Sequence, residues 1–352
     1  MKQIQPNKII VFFLVILFPS MGIIPAQQEH GEPSLLFRSD ETIELTLTMG
    51  IRTVLRDVGD DREQHPARIS YLSSNGEIVE LPLKIRTRGH FRRDPMNCDF
   101  PPLRLNFASK TSGNTIFEGQ DKLKLVTHCR TRGSKYEQNV LKEYLVYRLY
   151  NLFTDESYRV RLVELTYVDS LGKVDTLNRM GFFIEPSQQM AERNNCEGVL
   201  IKNVQQDQCE RYKTNVMSVF QYMVGNTDWS IPAAHNIVLI REEITDPPIT
   251  VPFDFDWCGL VNSSYALPNP VLGIDNVRTR LFRGFCRSEN EFELAFQEFR
   301  DREEDIFKTI DSVPGLSDRE RQNVVKYMEQ FFKVINKPKL SRNEFLNNCR
   351  SE

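Results

Sequence analysis

The spacing of apolar residues changes once along this chain, and that change limits the folds open to it. Ile43, Leu45 and Leu47 alternate with polar residues, the pattern of a half-buried strand. A charged loop over residues 56–65, a strand over 68–72 and a turn at Ser74-Asn75-Gly76 follow. Leu81, Leu83, Ile85 and Thr87 then share one face, opposite Lys84, Arg86 and Arg88, and the run ends at Gly89. Two more strands are expected over 103–107 and 122–126, the second setting Lys122 and Lys124 against Leu123 and Leu125. At Leu141, Leu145, Leu149 and Leu152 the spacing becomes helical. A strand pair over 160–168 and 181–185 completes a β-rich stretch covering 41–190. Beyond it, helices are predicted over 214–224, 289–310 and 318–335, with short strands over 236–241 and 249–253. This pattern predicts an α+β chain of two lobes, with a helical second lobe over 191–352 and a seam near 186–200.

The first 26 residues read as an export signal. Lys2 and Lys8 precede an unbroken apolar run over 9–18, Pro19 and Ser20 end it, and Ala26 precedes a polar stretch. The run is shorter than the roughly 20 residues that span a bilayer, so no stable membrane span is expected once the signal is removed. Ile24 is a poor match to the small residue that cleavage favours, which leaves an uncleaved anchor as the weaker expectation. Residues 27–40 are polar and read as a flexible leader. The formal charge is −3, and removing Lys2 and Lys8 with the signal gives −3 − 2 = −5, which argues against nucleic acid as a partner. Seven cysteines without a C-x-x-C pair fit disulfides in an oxidising compartment, periplasmic or secreted, better than a zinc site. Cys98 with Cys129 and Cys196 with Cys209 are the first pairings to expect, with Cys349 left over.

The sharpest chemical signal is Gly225-Asn226-Thr227-Asp228-Trp229-Ser230, then His235-Asn236, then Asp254 and Asp256 within an apolar run, with Trp229 and Trp257 expected to pack around the acids. Carboxylates in such company are costly to bury unless paired or bound to a cation. At a strand end Asp254 and Asp256 point the same way, and Asp228 and Asn236 supply a second oxygen-rich wall. Such ligands suit Mg²⁺ or Mn²⁺ with phosphate oxygens completing the shell. The same acids could instead cap turns and bind nothing. With an Asp beside the acceptor hydroxyl and an Asn and an Asp holding metal across nucleotide phosphates, the set matches the back half of a phosphotransfer site.

These segments resemble the CotH-type protein kinases, secreted or spore-coat relatives of the atypical kinases, and an exported bacterial subgroup in particular. The resemblance covers roughly residues 80–265 and consists of motifs in order: KIRTRGHFRR, YEQNVLKEYLVYRLYN, GFFIE, GNTDWS…HN and PFDFDWCG. It implies a bilobal protein-kinase-like fold, ATP with Mg²⁺ or Mn²⁺, and transfer of phosphate to a protein or glycan hydroxyl. Carried over residue by residue, Asp228 is the catalytic aspartate, Asn236 and Asp254 are metal ligands, Asp256 is a neighbouring or alternate one, and Glu185 lies at the hinge. Two departures stand out. Asp228 and Asn236 are eight residues apart where about five is usual, so the loop carries an insertion over 231–234 or Asn226 substitutes. Arg104 stands where a nucleotide-binding lysine is expected, leaving Lys124 or Lys122, partnered by Glu143 or Glu137, to serve.

Arg86, Arg88, Arg92 and Arg93 around Gly89 form a positive patch that either cradles phosphate or is simply solvated. His90, His128 and His235 lack metal spacing and read as structural. Three functions remain open: an exported kinase, a catalytically silent binding module of the cell envelope, and a metal-dependent phosphoester hydrolase. The scarcity of histidine near the acids weakens the last.

Overall fold

A computed structural model describes residue 1 and residues 31–351; the expected export signal lies outside the described residues, apart from Met1. In chain order the elements are β1 (Ile43–Met49), α1 (Ile51–Arg56), β2 (His65–Leu72), β3 (Ile78–Thr87), β4 (Leu103–Phe107), α2 (Ser109–Ser112), β5 (Lys122–Val126), α3 (Ser134–Tyr150), β6 (Val160–Asp169), β7 (Leu177–Ile184) and α4 (Ser187–Arg193). Then come β8 (Glu197–Gly198), α5 (Arg211–Val224), β9 (Ile237–Arg241), β10 (Ile249–Pro252), α6 (Glu289–Asp301), α7 (Glu303–Ser312), α8 (Asp318–Ile335) and α9 (Pro338–Ser341).

The bilobal protein-kinase-like architecture expected from the sequence is not what forms. The first seven strands close into a barrel in the order β1-β2-β3-β4-β5-β7-β6, and a helical region with a small β10-β9-β8 sheet follows. Closure depends on β1 pairing in parallel with β6, from Ile43 against Val163 to Met49 against Asp169, while the other barrel pairs are antiparallel. Alternation along a strand tells which residues face inward, but an open sheet and a closed barrel share it. Parallel pairing between strands more than a hundred residues apart leaves no local mark.

One core fills the barrel, built from Leu45, Leu47, Ile69, Leu83, Ile85, Leu105, Leu125, Leu165 and Phe183 among others. A second, larger core joins the outer faces of β6 and β7 (Leu162, Phe182, Ile184) to α3 and to helices α5–α8. Helix α3 is buried on every side from Asn139 to Tyr147, because barrel wall and helices sandwich it. Residues 31–40, expected to be loose, are docked: Leu36 and Phe37 enter the barrel core and the Gly31 amide donates to the Arg193 carbonyl (2.6 Å). The helix expected over 289–310 breaks at Arg302, which leaves helical geometry between α6 and α7. Among the described residues no helix is long and apolar enough to cross a membrane.

Disulfides join Cys98 to Cys129 and Cys286 to Cys349. The first was expected; the second places Cys349, read as the odd thiol, in a bridge. Cys196 and Cys209 are buried free thiols, so that expected pairing does not form.

His128 packs its ring on Phe100 (4.4 Å between centroids) at the barrel rim, fully buried, and neither ring nitrogen has a hydrogen-bond partner. Burial, reinforced by Arg179, pushes its pKa down to about 3. The fold therefore holds a neutral ring, while the unfolded chain takes a proton below about pH 6.5. This term is neutral above that pH and destabilises progressively as pH falls towards 3, reaching about 2 kcal/mol at pH 5. In urea titrations between pH 7 and 5, His128→Phe should flatten the acid-side loss by about that amount; parallel pH profiles for the two proteins would contradict it.

Candidate metal and phosphate site

Helix α5 ends at Gly225, whose φ of +66° turns the chain sharply. A Cβ at that position would lie 2.1 Å from the Tyr327 hydroxyl, so backbone geometry and packing both require glycine. The following loop is fixed from below. The Asn226 amide donates to Gln221 (3.0 Å), its Oδ1 accepts from the Asp228 amide (2.9 Å), and Arg283 reaches the carbonyls of Thr227 and Trp229. Asp228 is therefore presented on a stiff loop. The residues 231–234 behave as an excursion closed by paired bonds between Ser230 and His235 (2.9 Å each). That closure offsets the long spacing, since Asn236 Nδ2 donates to Asp228 Oδ2 (3.0 Å) and to its carbonyl (2.8 Å). Asn226 is committed beneath the loop. His235 Nε2 lies 2.9 Å from Asp228 Oδ1, so this histidine, expected to be structural, belongs to the site.

The second wall follows β10. Gly259 and Leu260 bond back to the carbonyls of Gly225 and Val224, laying this segment along the end of α5. Asp254 adopts a left-handed φ of +61°, and its amide donates to the buried Tyr147 hydroxyl of α3 (2.8 Å). Asp256 is buried and accepts from the Tyr265 hydroxyl (2.8 Å). Glu143 of α3, expected to partner a lysine, joins these two instead: carboxylate oxygens of Glu143, Asp254 and Asp256 lie within 4.8 Å of one another. Glu143 is 1% exposed and its Oε1 has no hydrogen-bond partner.

Arg92 stands among the three acids. Its Nε is 3.4 Å from Asp256, Nη1 3.6 Å from Glu143 and Nη2 3.8 Å from Asp254. Burial outweighs the attraction of Arg92 at Glu143 and Asp256, so both carboxyls are raised above their ordinary range. Arg92 is itself held well above its ordinary value, because the acids outweigh its burial.

A cleft of about 360 Å³ brings these groups to one surface, lined by Arg88, His90, Arg92, Asp228, His235, Asn236, Asp254, Asp256 and Trp257. Lys124 lies beside it, its ammonium 5.4 Å from the Phe253 ring. Burial, then the positive Arg88, lowers its pKa to about 8 against the pull of Asp254. Trp257 lines the cleft, while Trp229 is buried beside Arg283. Other expected residues lie elsewhere. Lys122 is exposed beside Asp121 (3.6 Å), and Arg93 pairs with Asp60 (2.7 Å). Glu185 is fully buried in a pair with Arg193 (2.9 Å) and accepts from the Arg159 amide, which makes it a brace at the end of β7. A larger groove of about 570 Å³ runs between α6 and the C-terminal turns. Its charges are already matched, Arg300 with Glu293 and Arg342 with Glu289, so it gathers no unbalanced set.

Residues that sequence reasoning missed as site members are His90, His235, Tyr147 and Tyr265. The histidines carried a signal, by adjoining Gly89 and Asn236; the tyrosines come from α3 and from a loop beyond the motif. No protein-family model matches the chain, and no curated protein matches it significantly.

Removing the Tyr147 hydroxyl strands the Asp254 amide where the backbone is already unfavourable. Tyr147→Phe should cost about 1–2 kcal/mol in urea unfolding; a change below roughly 0.3 kcal/mol would show that the bond does not hold Asp254.

Proposed function

We propose that this chain is an exported phosphotransferase that takes ATP with Mg²⁺ or Mn²⁺ and passes phosphate to a protein or glycan hydroxyl. One observation carries the reading: Asp228, Asn236, Asp254 and Asp256, from two separated segments, line a single cleft. The motif order that resembles the CotH-type kinases supports it, although the seven-strand barrel is not a kinase-like lobe. The two disulfides support export to the periplasm or beyond.

The donor set fits a hard cation. Oxygen ligands from Asp254, Asp256 and Glu143 would hold it, and the unpartnered Glu143 Oε1 is an acceptor awaiting a partner. The metal would neutralise charge on the phosphates. Arg88, whose Nη1 lacks a hydrogen-bond partner, and Lys124 would bind phosphate oxygens. Asp228, held by Asn236 and His235, would orient the acceptor hydroxyl and take its proton. Trp257 and Phe91, ring centroids 5.2 Å apart, line the same cleft as Asp254 and Asp256.

A second reading, a catalytically silent binding module, is favoured by Arg92, whose guanidinium already stands among the acids. Mn²⁺ with ATP at a hundredfold excess over Kd should raise Tm by roughly 3–5 °C. Labelled phosphate should then appear on a hydroxyl of the protein or of added envelope glycan, and Asp228→Asn should cut that rate at least a hundredfold. A thermal shift without transfer under either metal would select the binding module; no shift at all would remove the phosphotransferase.

A further inference from the structure

We propose that Arg92 is an internal counter-cation that excludes bare divalent ions from the acid trio and yields the position when the ion arrives with phosphate. The inference rests on the metal-and-phosphate reading above and assigns the residue that decides which form of cation is accepted.

The guanidinium is held by charge rather than by directed bonds. Its three nitrogens each face a different carboxylate at 3.4–3.8 Å, longer than the roughly 2.7–2.9 Å usual for a charge-assisted hydrogen bond, although Arg92 is only 8% exposed. A guanidinium fixed for structural reasons usually forms short, paired contacts. Here Glu143 Oε1 stays unsatisfied beside it. Arg92 also lines a small cavity of about 10 Å³, shared with Glu143 and Asn139, each of which has an unpartnered polar atom. Glu143 is therefore under-coordinated with arginine in place, and a compact ion with several open positions suits the trio better.

Arg92 and an ion among the same three carboxylates would compete for one space. The flanking chain is anchored on both sides. Phe91 packs on Trp257 and Tyr265, Asn97 donates to the Phe91 carbonyl (2.9 Å), and Cys98 is bridged to Cys129. Exchange thus falls to the Arg92 side chain, which lines both the small cavity and the cleft. A bare ion offers the displaced guanidinium no partner and adds positive charge beside Arg88. A polyphosphate offers acceptor oxygens to Arg92, Arg88 and Lys124 together.

The test is Mn²⁺ binding to the full chain by electron paramagnetic resonance, with Mn²⁺ alone and with Mn²⁺ plus ATP or inorganic pyrophosphate. The wild-type protein should bind Mn²⁺ at least tenfold more tightly with either phosphate compound, after allowing for complexes in solution. Arg92→Met should bind bare Mn²⁺ about tenfold more tightly than wild type, with the phosphate enhancement falling below threefold. Near-ultraviolet circular dichroism checks its fold. If it does not fold, Arg92→Lys, a shorter single-point cation, should raise bare-ion affinity about threefold. Unchanged or weaker bare-ion binding by the folded variant, in a protein whose wild type binds Mn²⁺, overturns the role of Arg92 and leaves the site reading intact. Failure of wild type and variants to bind Mn²⁺ with or without phosphate overturns that reading and this inference together.

Discussion

Two buried carboxylates, Glu143 and Asp256, and the partly exposed Asp254, with a single guanidinium among them, set the terms on which the rest of this structure is arranged. Each ionised group carries a desolvation cost of several kcal/mol that geometry must offset. Glu143 is rigid because α3 is packed on every side, and Asp254 because Tyr147 of the same helix holds its amide. Asp256 is fixed by Tyr265. Helix α3 therefore does two things at once: it joins the barrel wall to the helical core and it supplies two of the groups that shape the acid cluster.

The barrel is the platform for the opposite side of the cleft. Strand β3 ends at Thr87, and the chain beyond it carries Arg88 and Arg92 across the acids before the Cys98–Cys129 bridge returns it towards β4 and β5. β5 presents Lys124 outward from the barrel beside Asp254, while Leu123 and Leu125 point inward. The alternation that builds the barrel core thus also places Lys124 beside the cleft. On the helical side, the α5 terminus at Gly225 and the backbone bonds from Gly259 and Leu260 bring the Asp228 loop and the Asp254 segment together.

Much of the local structure was legible from side-chain spacing. The strand over 122–126 and the helix over 318–335 lie where alternation and helical periodicity set them. Asp228, Asn236, Asp254 and Asp256 also line one cleft, as their two motif segments suggested. The barrel was not legible, since closure depends on the register of β1 with β6, which no local pattern encodes. Arg92 was visible only as one of four arginines near Gly89. The sequence could not separate it from Arg93, which reaches Asp60 on the surface instead. Glu185 was read from motif position and Lys122 as an alternative to Lys124 on the same strand face, and burial against Arg193 in one case and exposure in the other place them outside the cleft. Cys349 finds its partner 63 residues away, beyond the reach of any spacing argument.

The central claim is that these acids grip a divalent ion, and crystals grown with Mn²⁺ and ATP test it most directly through anomalous scattering at the manganese edge. The account predicts a peak within coordination distance of Asp254, Asp256 and Glu143, with the Arg92 guanidinium moved towards the phosphates. An acid trio without a peak and with Arg92 unmoved, in crystals whose cleft holds the nucleotide, would contradict it.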